Sequence, residues 1–296
     1  MLIERREVPA NHSLSLLPDI YVERGTKDDW ELLHELHYKA ENLGIGPQVY
    51  RCVLEGKTIG VGVMTVPKML LSGRNSLFPH LRPNQNGRDT RIVNKYRAEW
   101  INAHICTNSR LVLDTMYRGA GIAYRMQNLM MRMTGCKMIE FQSSMSKFNP
   151  FAAKAGMQFV KPKRSSNYER GLAWFRRWFE CIPTDFVGVM EEINAMSPPS
   201  KERCVAEMRK FYYAFSSMEK SGDNRMNGTS RVDALPVEKL LKNLQQLVFA
   251  SPLYGVYVNP DYDDANDCGV VLPQRLPLLA FDNQATDAPL NLSKLV

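Results

Sequence analysis

The feature that most constrains this chain is a single run of fourteen residues, Arg110 to Ala123, in which an apolar strand signal, Arg110-Leu111-Val112-Leu113-Asp114, passes through Arg118-Gly119-Ala120-Gly121 into a helical pattern. Ile122, Met126, Leu129, Met130 and Met133 recur at helical spacing and share one face, and Gly135 stops the helix. A strand delivered through glycines onto a helix N-terminus is a device with known chemistry. The first backbone N–H groups of a helix have no intrahelical partner, and glycines let an anion approach them. Arg118 adds a charge-assisted donor, so the turn is a candidate pyrophosphate site; an ordinary tight connection is the competing reading.

Around that run the first half of the chain alternates strand and helix. Ile20 to Glu23 reads as a strand, and Thr26 caps a helix carrying Trp30, Leu33, Leu36 and His37, with Asp29 placed to support the cap. Val49 to Leu54 and Thr58 to Met64 form a hairpin about Glu55-Gly56-Lys57, and Lys137 to Phe141 is a further strand. A short helix follows near Pro150 to Ala155, then Gln158-Phe159-Val160. The stretch 68–99, rich in Pro, Asn, Arg and Gly, reads as a long loop inserted into this alternation. Three domains are expected: an α/β domain over 15–165 with that insertion, a helical extension over 166–258, and an acidic, Pro-rich tail over 259–296. The extension rests on three amphipathic stripes, led by Phe175, Met208 and Leu244.

With 296 residues, 44% of them hydrophobic, the chain can bury a large core. Its formal charge of +7 and pI near 9.0 suggest an anionic partner, which a nucleotide-like cofactor alone would satisfy. The six cysteines show neither metal-ligand spacing nor a short disulfide framework. No metal site is expected. No stretch approaches the roughly 20 apolar residues of a membrane span, and the N-terminal residues lack an apolar signal core, so the expectation is a soluble, cytoplasmic protein without a membrane partner. Oligomeric state stays open.

Arg118, Gly121 and Ala123 fill every fixed position of the pyrophosphate loop of the GNAT superfamily of acyl-CoA N-acyltransferases, in which Arg or Gln is followed by two variable residues, Gly, one variable residue and Gly or Ala. The chain resembles that superfamily a second time at Asn149-Pro150-Phe151-Ala152-Ala153-Lys154-Ala155-Gly156-Met157. The resemblance implies an α/β fold with a mixed, mostly antiparallel central sheet flanked by helices. It also implies acetyl-CoA or another acyl-CoA as cofactor, held by Leu111, Val112, Leu113, Arg118, Gly119, Ala120, Gly121, Ile122, Ala123 and Asn149. Leu36-His37-Tyr38, Pro67, Ser72-Gly73-Arg74-Asn75 and the Asn-Pro-Phe element look like a divergent branch similar to Mom-type phage DNA-modification proteins. That narrower match implies an amino group of a nucleobase in DNA as acceptor, DNA as partner, and the host cytoplasm as location for a phage-encoded chain.

One departure from the family bears on mechanism. Where familiar members carry a Tyr that protonates the leaving thiolate, the matching positions here are Phe151 or Ala152, and neither donates a proton. Ser144, with Ser143 and Ser146, or Tyr117 and Tyr124, are the substitutes within reach in sequence. Asp114 is either a proton acceptor or the cap of the turn that follows it. His37 and Tyr38 are the titratable pair on the acceptor side, or packing residues. Arg74, Arg88, Arg91, Lys95 and Arg97, interleaved with Tyr96 and Trp100, are candidates for a DNA phosphate backbone, or a solvated charged loop. An acceptor on a protein, peptide or small amine, and a catalytically inert binding module of the same fold, are the alternatives.

Overall fold

The computed structural model describes residues 15–37, 43–84, 90–160, 166–220, 222–250, 252–282 and 284–294. The chain divides into two units, 1–160 with 254–296, and 161–253. The first unit is built on an eight-stranded sheet, with β1 (Ile20–Arg24), β2 (Gln48–Leu54), β3 (Lys57–Thr65), β4 (Ile105–Leu113), β5 (Met138–Ser143), β6 (Gln158–Phe159), β7 (Leu253–Val258) and, beyond the small hairpin of β8 (Tyr262–Asp263) and β9 (Cys268–Gly269), β10 (Arg275–Pro277). Their order across the sheet is β10-β1-β2-β3-β4-β5-β7-β6. Pairing is antiparallel throughout β10-β1-β2-β3-β4 and in β6-β7, while β4 and β5 run parallel. The expected class, a mixed and mostly antiparallel sheet flanked by helices, is the observed one.

Helix α1 (Lys27–Leu33) starts where Thr26 and Asp29 close a capping box, and it buries Trp30 and Leu33 against Val49, Val61, Val63 and Val112 on one sheet face. Helices α2 (Ser72–Leu77) and α3 (Arg91–His104) cover part of the sheet through Leu71, Ile101, Met138 and Tyr254. The region 68–99, expected to be a loop, is therefore substantially helical. On the opposite face lies α4 (Ile122–Met133), whose Ile122, Met126, Leu129 and Met130 join Tyr50, Cys52, Ile59 and Leu113, followed by the short α5 (Phe151–Lys154). Burial of that apolar stripe is what holds α4 in place.

Gly62 sets how closely α4 approaches β3. A Cβ there would lie 2.1 Å from the buried Sδ of Met130, a distance no side chain tolerates. Gly62→Ala is expected to cost about 1–3 kcal/mol by overpacking, read as a lowered unfolding midpoint in urea. An unchanged midpoint would show that α4 floats on the sheet.

The residues expected to form an acidic tail instead belong to the first unit. β10 pairs with β1, and Asp261 is buried against Arg132 of α4 at 2.6 Å. The expected division after residue 258 is therefore displaced: the chain returns to the first unit at Tyr254. The second unit holds α6 (Ser166–Trp178), α7 (Phe186–Ala195), α8 (Pro198–Phe215), α9 (Ser230–Asp233) and α10 (Val237–Phe249). Phe175, Val189, Ile193, Met208, Tyr212, Leu241 and Leu244 form its core. Among the described residues no helix is long and apolar enough to cross a membrane.

Candidate active site

The site begins as a defect in the sheet. β4 and β5 run in register from Ile105 opposite Met138 to Asn108 opposite Phe141. On its other side β4 pairs Met64 with Asn108 and Val63 with Arg110, so Ser109 is an extra, bulged residue whose Oγ donates to Val63 O at 3.0 Å. A bulge bends its strand and increases the local twist. Past it, β4 continues to Leu113 on β3 alone while β5 runs on to Ser143. Beyond Asn108 and Phe141 the two strands are no longer paired, so the margin of β4 that faces β5 is open toward their C-terminal ends. Two β4 carbonyls along this stretch accept from arginines, Ser109 O from Arg110 Nη1 at 2.7 Å and Leu113 O from Arg118 Nε at 3.2 Å.

From its unpaired end β4 runs directly into the glycine turn. Asp114 accepts from Met116 N at 2.9 Å and heads a 3-10 turn over Thr115–Tyr117, so of its two expected roles the geometry displays the cap. Arg118, Gly119 and Ala120 are exposed. Gly119 (φ 88°) and Gly121 (φ 79°) both adopt left-handed backbone, which glycine enters without steric cost. A Cβ at position 119 would have no heavy atom within 4 Å, whereas one at 121 would meet Arg125 Nη1 at 2.5 Å. Gly121 is the N-cap of α4 and supplies no side chain to its first N–H groups. Ile122 is buried and anchors the turn to the core, with Ala123 half-buried beside it.

Charged side chains stand beside this turn. Arg125 is clamped by both carboxylate oxygens of Asp282, at 2.7 and 2.8 Å, and donates to Gly121 O at 2.9 Å. The hydrogen bonds it donates to Asp282 raise the Arg125 pKa further, so its charge is fixed. The Tyr124 ring lies 4.7 Å from Arg125 Cζ and 5.8 Å from Lys154 Nζ. Arg118 and Lys154 thus add cationic groups near a helix N-terminus, while the charge of Arg125 is balanced by Asp282.

The remaining expected site residues divide. Ser144 follows β5 directly and accepts Lys147 N at 3.3 Å through its carbonyl; it stands at the C-terminal end of β5, as Asp114 does at that of β4. Asn149 Oδ1 caps α5 by accepting Phe151 N at 3.1 Å. Phe151 packs edge-on to Phe141 at 6.0 Å, and Ala152 is fully buried. His37 is half-buried, 6.3 Å from the Trp30 ring, and follows a 3-10 turn over His34–Leu36 that packs against β4. Tyr38 and Arg88 lie outside the described residues. An open cavity of about 530 Å³, lined by Trp30, Glu31, His34 and Val49 among others, lies along α1 and includes no residue of the glycine turn.

The basic residues of the insertion do not form one surface. Arg74 is 0% exposed: its Nη1 donates to both Glu140 carboxylate oxygens, at 3.2 and 3.1 Å, and its Nη2 to Lys68 O and Met69 O. Tyr254 Oη donates to the same carboxylate at 2.6 Å. The reading of Arg74 as a phosphate contact is corrected, because a buried guanidinium with a carboxylate partner does not reach a nucleic acid. Arg91 and Lys95 are exposed on α3, Lys95 facing Glu99 at 3.6 Å, and Arg97 Nη1 donates to Arg82 O at 3.1 Å. Two residues escaped the sequence reading. Arg125 was hidden in the polar face of α4, and Asn108 in a strand whose Thr107-Asn108-Ser109 run was itself the available signal.

No family model and no curated protein matches the chain. Among solved structures, an apo crystal structure of an agmatine N-acetyltransferase mutant is similar to 48% of this chain and 84% of its own, at 11% identity and a TM-score of 0.29.

Proposed function

We propose that this chain is an acyl-CoA-dependent N-acyltransferase. The observation that carries the reading is the parting of β4 from β5 at the Ser109 bulge, directly above a turn with two left-handed glycines at the N-terminus of α4. The backbone N–H groups from Gly119 to Ala123 would hold the pyrophosphate, with Arg118 as a second donor. With the Ser109 and Leu113 carbonyls held by Arg110 and Arg118, the remaining backbone groups of β4 between them are those an amide-bearing arm lying along the strand would use. Acyl-CoA supplies an activated thioester; the protein positions a neutral amine beside it and polarises the carbonyl. Ser144 is the side chain we assign to the leaving sulfur, since Phe151 and Ala152 offer no proton. A thiolate with a pKa near about 8.5 needs little help to leave.

Two measurements test this. Acetyl-CoA should bind in a calorimeter, and free CoA should appear when the protein is mixed with acetyl-CoA and an acceptor amine. Absence of binding would overturn the reading; binding without turnover on any acceptor would leave an inert module of this fold.

For the acceptor, we propose an amino group of a nucleobase in DNA, either native to the base or installed by an earlier modification step, as the Mom-type resemblance implies. What supports it is α3, which presents Arg91 and Lys95 and leads into the N-terminal end of β4, opposite the end bearing the cofactor turn. Replacing Arg91, Lys95 and Arg97 together with Gln is expected to lower the salt dependence of DNA binding by about 0.9 per lost phosphate contact, with acetyl-CoA affinity unchanged. An unaltered slope, or no DNA binding by the parent at low salt, moves the acceptor to a protein, peptide or small amine. The cavity along α1 is where that second reading would seat its amine, with Glu31, which also faces Lys27 at 3.9 Å and His34 at 3.6 Å, in its lining.

A further inference from the structure

Asn108 is 2% exposed, yet among the described residues neither its Nδ2 nor its Oδ1 has a hydrogen-bond partner. A carboxamide brings two donors and an acceptor, and buried polar groups left unpaired are rare enough to require a reason. Its cross-strand neighbours, Met64 on β3 and Phe141 on β5, are buried and apolar and supply none. Strand alternation puts Asn108 on the same face as Cys106, within the cluster capped by α4. Its position is equally specific. Asn108 forms the last pair of β4 with β5, immediately before the bulged Ser109, and so stands where the two strands stop pairing.

We propose that Asn108 is a catalytic residue that binds the reacting carbonyl, an inference that rests on the acyl-CoA reading above. Nδ2–H donates to the thioester carbonyl oxygen, and Oδ1 accepts an N–H of the attacking amine. The amine nitrogen bonds to the carbonyl carbon as the C=O pair moves onto oxygen. That pair returns as the C–S bond breaks, sulfur leaves as thiolate, and the nitrogen's surplus proton passes to the thiolate or to solvent. Asn108 gives up neither proton nor electrons. It contributes a donor aimed where negative charge grows, within a water-poor pocket.

The test uses the full chain with free CoA and with acetyl-CoA labelled with ¹³C at its carbonyl. In the wild type, binding should shift the labelled carbonyl stretch to lower frequency. Asn108→Leu removes donor and acceptor at similar volume, and Asn108→Ala removes both at smaller volume. Both should bind CoA as the wild type does, return the carbonyl stretch toward its free value, and lose about fivefold in affinity for acetyl-CoA relative to CoA. An unchanged carbonyl frequency and affinity ratio in either folded variant overturns the inference. So does a Leu variant that melts far lower while keeping the carbonyl shift, which would mark a structural amide. A wild type that binds neither CoA nor acetyl-CoA overturns the acyl-CoA reading itself, and this inference with it; binding by the wild type with indifferent variants overturns the inference alone.

Discussion

Arg132→Met is expected to destabilise the first unit by about 3–5 kcal/mol, the cost of removing one partner from a buried ion pair and leaving the other charge behind. Arg132 is 2% exposed, and its guanidinium is engaged on every side. Nε donates to Asn128 Oδ1 at 2.8 Å, Nη1 to Asp261 Oδ2 at 2.6 Å and Ala288 O at 3.0 Å, and Nη2 to Ala285 O and Thr286 O at 3.2 Å each. One helix side chain thereby holds the chain from Asp261 to Ala288. Asp261, which also accepts Leu290 N at 2.7 Å, would be left with a charge in an apolar setting. The urea midpoint should fall sharply, and proteolysis between residues 284 and 294 should accelerate. Adding Asp261→Leu should recover part of the loss, since a well-packed apolar pair often replaces a buried ion pair at little cost. A midpoint within about 1 kcal/mol of the wild type would mean the segment is not held by Arg132.

The largest functional effect is expected from Gly121→Val. A β-branched residue forced to a φ of 79° would carry strain of about 1–3 kcal/mol, and its Cβ would sit 2.5 Å from Arg125 Nη1. Either the turn changes shape or Arg125 leaves Asp282. Both outcomes disturb the N–H groups proposed to hold the pyrophosphate, so acetyl-CoA affinity should fall by about tenfold to a hundredfold. Gly119→Ala provides the contrast, because position 119 shares the left-handed backbone but has open space around it. Its loss should be smaller. Equal affinity for acetyl-CoA in wild type and a folded Gly121→Val protein would move the cofactor away from this turn.

What could be read from sequence was whatever local periodicity records. The β2–β3 hairpin, the β4-turn-α4 run and β5 carry period-2 or period-3.6 patterns that need no knowledge of their neighbours. α3 defeated that method for a physical reason: Ile92, Val93 and Tyr96 are exposed, so its apolar residues do not mark a buried face until Trp100 and Ile101, and Pro and Gly punctuate the approach to it. Its sequence reads as loop because only its last turns pack. Arg74 fails differently, since burial of an arginine depends on Glu140, sixty-six residues away. The strands β7 and β10 were invisible for the same reason: pairing with β5 and β1 is a tertiary event that their short, Pro-flanked sequences do not announce. Even the helical stripes overran their elements. Ile182 and Met218 continue the helical spacing of Phe175 and Met208 in sequence, yet they lie past the ends of α6 and α8 and are exposed. At the site, the glycine turn was legible because it is contiguous. The Ser109 bulge and the unpaired Asn108 were not, because both are properties of two strands that differ in course.

The interruption of the first unit by residues 161–253 also governs the order in which a ribosome could complete it. When residue 160 has been synthesised, β1 still lacks β10 and β5 still lacks β7, so the growing sheet presents two unpaired margins. Those margins stay open while more than ninety further residues are added, and contacts spanning such separations are slow to form. The helical unit has no such dependence, since its internal contacts lie within a continuous stretch. Emerging chains should therefore hold a folded helical unit beside an unfinished sheet, a species whose open margins invite pairing with another nascent copy. Chaperone demand during synthesis should peak over this interval and fall once Arg275–Pro277 has docked on β1.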